Sequence, residues 1–142
     1  MPFLRFAGRC RSVPASLIRV LVVDDDAAFA ETLAELLETD ARIRVVGFAR
    51  NGEEALALAR SLRPDVVTMD IDMPILDGIE ATRRIVASLA NVRVLVVSGS
   101  EHTALAEQAR VAGAAGYIAK SRIAGELLPA VAAIAPPESD GG

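Results

Sequence analysis

Short apolar segments alternate with amphipathic segments between Leu17 and Ala135. The amphipathic segments carry apolar residues at helical spacing; in the first of them these are Phe29, Leu33, Leu36 and Leu37. The apolar segments are rich in β-branched residues and predict five strands, Arg19–Val23, Ile43–Ala49, Val66–Met69, Val92–Val97 and Gly116–Ala119. Apolar strands alternating with helices are typical of a parallel sheet, because helical crossovers cover both of its faces. The pattern therefore predicts an α/β fold with a doubly wound five-stranded parallel sheet.

Capping residues predict where several helices begin and end. Asn51 and Asp77 are each followed three residues later by a glutamate, which is the spacing of a helix N-cap and its third helical residue. Arg63-Pro64 ends the second helix, because the residue before a proline is disfavoured in the helical conformation. Gly113 follows the fourth helix where a left-handed cap is expected. A fifth helix is predicted from about Ala124 to Ala135.

The composition is that of one globular domain. The chain has 142 residues, of which 52% are hydrophobic and 24% charged. Its apolar segments are far shorter than the roughly 20 residues of a membrane-spanning helix. The net charge of -4 disfavours a nucleic-acid surface, which would be basic. The single cysteine, Cys10, fits a reducing compartment, so we expect a cytoplasmic protein that binds neither nucleic acid nor membrane.

The two ends of the chain differ in composition from its middle. Residues 1–16 form a basic extension whose arginines interrupt the apolar run that a secretory signal needs. The prolines, glycines and acids of residues 136–142 are typical of a tail or a linker stub. We therefore assign residues 17–135 to the folded domain.

Polar residues follow four of the five predicted strands. In open parallel sheets, ligands bind beyond the carboxyl ends of the strands, where the strand order reverses. Clustered carboxylates repel one another unless a cation lies among them, and hard oxygen ligands favour Mg²⁺. The residues concerned are Asp24, Asp25 and Asp26 after the first strand, Asp70 after the third, Ser98 after the fourth and Lys120 after the fifth.

These residue types suit phosphoryl chemistry. A carboxylate can attack phosphorus and form an acyl phosphate, and the transferring group needs positive charge on its oxygens. A metal ion, a hydroxyl and an ammonium group supply that charge and hydrogen bonding. Lys120 is the single lysine beside 14 arginines, which indicates a position where a compact point charge is required.

Four sequence blocks carry a family resemblance. VLVVDDD, DVVTMDIDMPILDG, VLVVSGS and AGAAGYIAK resemble, in order and spacing, the receiver domain of two-component response regulators. The resemblance extends over about Ile18–Ile134 and implies a flavodoxin-like strand order 2-1-3-4-5. It also implies a phosphoacceptor with slow self-dephosphorylation rather than an enzyme.

The resemblance implies a role for each acidic residue. Asp70 would accept a phosphoryl group from a histidine kinase or a phosphotransfer protein. Asp25 and Asp70 would bind Mg²⁺ through their side chains, and Asp72 through its backbone carbonyl. Asp24 would act through a water molecule or as a second metal ligand.

The remaining positions match residues that stabilise the phosphoryl group or respond to it. Lys120 would pair with the phosphoryl oxygens, and Ser98 would donate a hydrogen bond to them. Tyr117 matches the switch aromatic, which would turn inward when Ser98 is drawn toward the phosphoryl group. The rate of dephosphorylation would be tuned by Asp72, Gly99 and Ser100. The sequence departs from the family at Ser121, where receivers commonly have proline after the lysine.

The fifth helix has an unusual composition. It carries no charge from Leu127 to Ala135, whereas a surface helix is normally polar on its outward face. We therefore expect a homodimer or an output partner to contact this helix, over about Ala124–Ala135. The alternative is that its small alanines simply form a weakly apolar surface.

Two other functions fit part of the pattern. Phosphatases of the haloacid-dehalogenase type use an Asp-x-Asp pair such as Asp70 and Asp72, but their metal-binding acidic pair follows the nucleophile in the chain, whereas Asp24 and Asp25 precede it. A pseudo-receiver would have the same fold without phosphorylation. All expected acidic, hydroxyl and lysine positions are occupied, so the sequence favours the phosphorylated receiver.

Overall fold

A computed structural model describes residues 17–73, 75–99 and 103–136. In these residues five strands and five helices alternate along the chain. They are β1 (Ile18–Val23), α1 (Ala27–Leu37), β2 (Ile43–Ala49), α2 (Gly52–Leu62), β3 (Val66–Met69), α3 (Gly78–Ser88), β4 (Arg93–Ser98), α4 (Thr103–Ala112), β5 (Gly116–Ala119) and α5 (Ile123–Ile134), with a 3₁₀ turn, Lys120–Arg122, between the last two. The basic extension, Cys10, Ser100 and residues 137–142 lie outside the described residues.

The strands form one parallel sheet in the order β2-β1-β3-β4-β5, which confirms the predicted architecture. Two predicted strands differ by a residue, because β1 begins at Ile18 rather than Arg19 and β4 extends over Arg93–Ser98 rather than Val92–Val97. The Val92 N–H donates to Leu89 O at 3.2 Å in a turn, and the first ladder bond comes from Arg93, whose N–H donates to Asp65 O at 3.0 Å. Strand β4 is therefore shifted by one residue, and Ser98 belongs to it.

Helix caps lie where the sequence predicts them. The Asn51 side chain accepts a hydrogen bond from Glu54 N at 2.8 Å, and the Asp77 side chain accepts one from Glu80 N at 2.9 Å. Gly113 follows α4 with a φ of 108°, a left-handed conformation that favours glycine. The caps at Asn51 and Asp77 fix the first residues of α2 and α3, and therefore the ends of the loops that precede these helices.

The sheet is covered on both faces by apolar side chains. One cluster of buried residues joins the sheet to α2, α3 and α4, and a second joins it to α1 and α5. On α1, Leu33 and Leu37 are buried as predicted, whereas Phe29 and Leu36 are only half-buried. Among the described residues, no helix has the length and apolar character needed to cross a membrane.

Candidate functional site

Asp24 and Asp70 directly follow the neighbouring strands β1 and β3. The Asp24 N–H donates to Ala49 O at 3.0 Å, and the Asp70 N–H donates to Val23 O at 3.0 Å. The hydrogen-bond ladder of the sheet thus extends one residue past each strand. These bonds hold both side chains at the carboxyl edge, where the strand order reverses between β1 and β3.

Three carboxylates meet at this edge. Asp24, Asp25 and Asp70 each present an oxygen, and these oxygens lie within 4.8 Å of one another. Asp24 and Asp70 are only 4% and 5% exposed, whereas Asp25 lies at the surface. A cluster with two buried carboxylates and one exposed to water has the hard oxygen donors that Mg²⁺ prefers. The structure therefore brings together the three aspartates expected to bind metal through their side chains or a water.

Burial makes Asp70 difficult to ionise. Its pKa is raised to about 6, first by burial and then by the negative charge of Asp24, against the opposing charge of Lys120. Asp25 and Asp72 raise this pKa as well. Since only the ionised carboxylate attacks phosphorus, a cation among these oxygens would favour the reactive form of Asp70.

Lys120 is the first residue of the 3₁₀ turn after β5. Its Nζ lies 2.9 Å from Asp24 Oδ2 and 3.8 Å from Asp70 Oδ1. Burial lowers the pKa of Lys120, but the hydrogen bond to Asp24 and the charge of Asp70 outweigh it and raise this pKa. The ammonium group therefore stays charged beside the Asp70 carboxylate, with Asp24 as its nearer partner.

The loop after Asp70 is held by a glycine that sequence reasoning missed. The Gly78 N–H donates to Ile71 O at 3.0 Å, and a Cβ added to Gly78 would lie 2.0 Å from Asp70 O. Only glycine lets α3 begin this close to the Asp70 backbone. The Asp77-Gly78 pair at the start of α3 is the signal in the sequence for this close approach, in addition to the helix cap that it predicts. Asp72 lies exposed within this loop.

Ser98 and Tyr117 lie on the two strands beyond β3. Ser98 is fully buried and is aligned with Ala119 across β4 and β5. Tyr117 is half-buried and packs against the core cluster that includes Val96. A Cβ added at Gly99 would meet nothing within 4 Å, so there is open space beside the end of β4.

Phe29 is a second residue whose place at the site the sequence did not reveal. Its spacing in α1 predicted a core position, but its ring also faces the ammonium group of Lys120, with 4.4 Å between Nζ and the ring centroid. No signal in the sequence pairs these two residues, because they are brought together only when α1 packs on the sheet beside α5.

Helix α5 buries Leu127 and Val131 and packs beside α1. Its exposed positions carry small side chains and one acid: Ala124, Gly125, Glu126, Pro129, Ala132 and Ala133. The outward surface is therefore uncharged after Glu126, as the sequence predicts, but it presents little apolar bulk. The expected partner contact at this helix stays a prediction.

Comparison with known proteins identifies a matching domain family. The family profile of the response regulator receiver domain matches residues 20–132. The transcriptional regulatory protein LnrK of Bacillus subtilis is 39% identical over 115 residues, which are 81% of this chain and 52% of LnrK. The chain thus spans about half the length of this curated relative.

Solved structures of similar fold include receiver domains. The response regulator domain of Thermotoga maritima CheB is 39% identical, with a TM-score of 0.77 over 83% of this chain and 96% of that domain. A chain of the CheX-CheY-BeF3-Mg²⁺ complex of Borrelia burgdorferi is 26% identical, with a TM-score of 0.78 over 87% of this chain and 98% of the other.

Proposed function

The chain belongs to the family of response regulator receiver domains, and from that membership we propose that Asp70 is its phosphoacceptor. One observation carries the proposal. Asp70 combines a nearly buried carboxylate, two further carboxylates within 4.8 Å and an ammonium group at 3.8 Å. This arrangement supplies a nucleophile, a place for a divalent cation and a positive charge for the phosphoryl oxygens.

The transfer starts from a phosphohistidine of a histidine kinase or a phosphotransfer protein. An ionised oxygen of Asp70 attacks phosphorus, so that a P–O bond forms as the P–N bond breaks and the electron pair leaves with the imidazole nitrogen. The acyl phosphate on Asp70 then reacts slowly with water, which returns the free carboxylate and releases phosphate. Lys120 neutralises charge on the phosphoryl oxygens, and its present position beside Asp70 requires little movement for that role.

Asp24, Asp25 and Asp70 would hold Mg²⁺ at this edge, together with the backbone carbonyl of Asp72. The bound ion would supply positive charge that favours ionised Asp70 and offsets the phosphoryl charge. The donor set supports this assignment, because it consists of hard carboxylate oxygens with one residue open to water. The Borrelia complex, which contains BeF3 and Mg²⁺, supports both as ligands of this fold.

The switch would start at Ser98 and end at Tyr117. Ser98 lies at the end of β4, next to the strand that carries Asp70, and donates to a phosphoryl oxygen in this proposal. Tyr117 is half-buried beside β4 and turns inward as Ser98 moves, which changes the face formed by β4, α4 and β5. Asp72, Gly99 and Ser100 flank the pocket and tune phosphorylation and hydrolysis.

The partners of the switch follow from this scheme. A histidine kinase or phosphotransfer protein in the cytoplasm supplies the phosphoryl group, and an output partner or a second copy reads the phosphorylated state through α5. The outward side of α5, uncharged after Glu126, supports that contact. Residues 17–135 act as the receiver domain, with the basic extension and the tail outside it.

Labelling with a small phosphodonor tests the acceptor. We expect the purified chain to gain one phosphoryl group from acetyl phosphate with Mg²⁺, measured by intact-protein mass spectrometry, and to lose it slowly after the donor is removed. Asp70→Asn should abolish the gain, whereas the control Asp40→Asn, in the loop between α1 and β2, should keep it. Undiminished labelling of Asp70→Asn, or labelling that chelation of Mg²⁺ leaves unchanged, contradicts the proposal.

A further inference from the structure

Among the described residues, three groups lie close to the ammonium group of Lys120. Asp24 Oδ2 lies 2.9 Å from Nζ, Asp70 Oδ1 lies 3.8 Å from it, and the ring centroid of Phe29 lies 4.4 Å from it. Asp24 accepts a hydrogen bond from the ammonium group, whereas Asp70 is a longer ion-pair partner. The third is the face of an aromatic ring at the distance of a cation–π contact.

The ring is anchored at the start of α1. Phe29 is the third residue of this helix, and its N–H donates to the capping side chain of Asp26 at 3.2 Å. Phe29 is half-buried and packs against the cluster between the sheet and α1. The helix cap and the core together therefore determine the position of Phe29.

The contact serves the ammonium group in a way that aliphatic packing would not. An aliphatic side chain would remove water from Nζ without compensation, whereas the negative face of a ring attracts the cation while covering it. The lysine stem has four rotatable carbons, so Nζ would otherwise lose its location whenever Asp24 released it. The oxygens of a phosphoryl group on Asp70 would come within reach of Nζ while it stays over the ring.

We propose that Phe29 is a positioning residue for phosphoryl transfer, whose ring holds the ammonium group of Lys120 beside Asp70. The inference rests on the proposed role of Asp70 as acceptor. It goes beyond that role, because an apolar residue of α1 would then affect the rate of phosphorylation. Phe29 touches neither metal nor phosphoryl group and acts only through Lys120.

The contact can be observed directly because Lys120 is the single lysine of the chain. Lysine labelled with ¹³C at Cε gives one side-chain signal in an NMR spectrum of the full chain. In the wild type, the protons on this carbon should be shifted upfield by the ring current of Phe29. The shift should disappear in Phe29→Leu, persist in Phe29→Tyr, and be unchanged in the control Phe48→Leu, which removes an exposed ring on β2.

The effect on chemistry is measured on the same proteins with acetyl phosphate and Mg²⁺. We expect the phosphorylation rate constant to fall about two- to fivefold in Phe29→Leu, the loss that corresponds to an exposed cation–π contact. Phe29→Tyr should restore it, and Phe48→Leu should match the wild type. If Phe29→Leu does not fold, Phe29→Met replaces it, since methionine fills a similar volume without a ring.

Each outcome has a defined meaning. A wild-type Lys120 signal at the position of free lysine overturns the contact, and an unchanged rate in a folded Phe29→Leu overturns its role. A loss that Phe29→Tyr fails to restore also contradicts the proposal. If the wild type shows the ring-current shift but no phosphorylation at all, it is the assignment of Asp70 as acceptor that fails, so the two proposals are separable.

Discussion

Replacing Asp70 by asparagine should stabilise the metal-free domain at neutral pH. The pKa of Asp70 is raised from 3.8 to about 6 in the folded domain. Because the folded state binds this proton more tightly than the unfolded state, stability falls as the pH rises from about 4 to 6. A difference of about two pKa units, at 1.36 kcal/mol each, amounts to about 3 kcal/mol. Asparagine resembles the protonated carboxyl group and avoids this cost.

The stability gained by Asp70→Asn should therefore depend on pH. We expect Asp70→Asn to exceed the wild type by about 3 kcal/mol in free energy of unfolding at pH 7, and by very little below pH 4. Urea unfolding followed by circular dichroism in the presence of a chelator measures the difference. At an m-value of about 1–3 kcal/mol/M, the midpoint at pH 7 should rise by roughly 1–3 M.

Metal and a second aspartate provide controls. At 100 times its dissociation constant, Mg²⁺ should stabilise the wild type by about 2.7 kcal/mol. It should stabilise Asp70→Asn much less, so the difference in free energy of unfolding between the two proteins should become smaller. Asp40 is a half-buried aspartate in the loop between α1 and β2. Its pKa is lowered to about 2, chiefly by the side-chain hydrogen bond from Arg42, so Asp40→Asn should give no gain in stability at pH 7. Equal midpoints for the wild type and Asp70→Asn at pH 7, or a difference that stays constant from pH 4 to 8, would refute this reasoning.

Two further substitutions test the surroundings of the acceptor. Thr68 is 1% exposed, and among the described residues its Oγ1 has no hydrogen-bond partner. The isosteric change Thr68→Val should therefore raise the free energy of unfolding by about 1–2 kcal/mol. A loss of stability measured by urea unfolding contradicts this prediction. Gly78→Ala would place a Cβ 2.0 Å from Asp70 O, so it should cost about 3 kcal/mol and slow labelling of Asp70. Gly125→Ala is the matched control, because its Cβ would meet nothing within 4 Å, and it should be neutral or stabilising by up to about 1 kcal/mol. Equal losses of stability in the two variants contradict the close approach at Gly78.

The strands and caps were predictable because they depend on local signals. Fully buried parallel strands appear as uninterrupted β-branched segments, and β2, β3 and β5 begin and end where those segments do. The error at β4 arises from a competing turn: Val92 is as apolar as a strand residue, but its N–H is bonded to Leu89 O. A hydrophobic pattern cannot distinguish a buried turn residue from the first residue of a buried strand.

The acidic residues of the site were predictable for a different reason. In a parallel sheet all carboxyl ends lie at one edge, so polar residues directly after apolar strands must come together there. That argument located Asp24, Asp25 and Asp70 without any knowledge of their side-chain geometry. It gave no information on Gly78 and Phe29, because a close backbone approach and a ring over an ammonium group arise only when helices pack on the sheet.

The partner of Lys120 shows how such packing changes the interpretation of the site. The sequence placed Lys120 toward the phosphoryl oxygens, whereas the structure pairs it first with Asp24, at 2.9 Å, and more loosely with Asp70, at 3.8 Å. Asp24 and the Phe29 ring are thus the nearer neighbours of the ammonium group, and its charge only partly offsets that of Asp70. The pKa of Asp70 is raised to about 6 because burial and the negative charge of Asp24 outweigh the opposing charge of Lys120. A divalent cation among these carboxylates would therefore be electrostatically favoured.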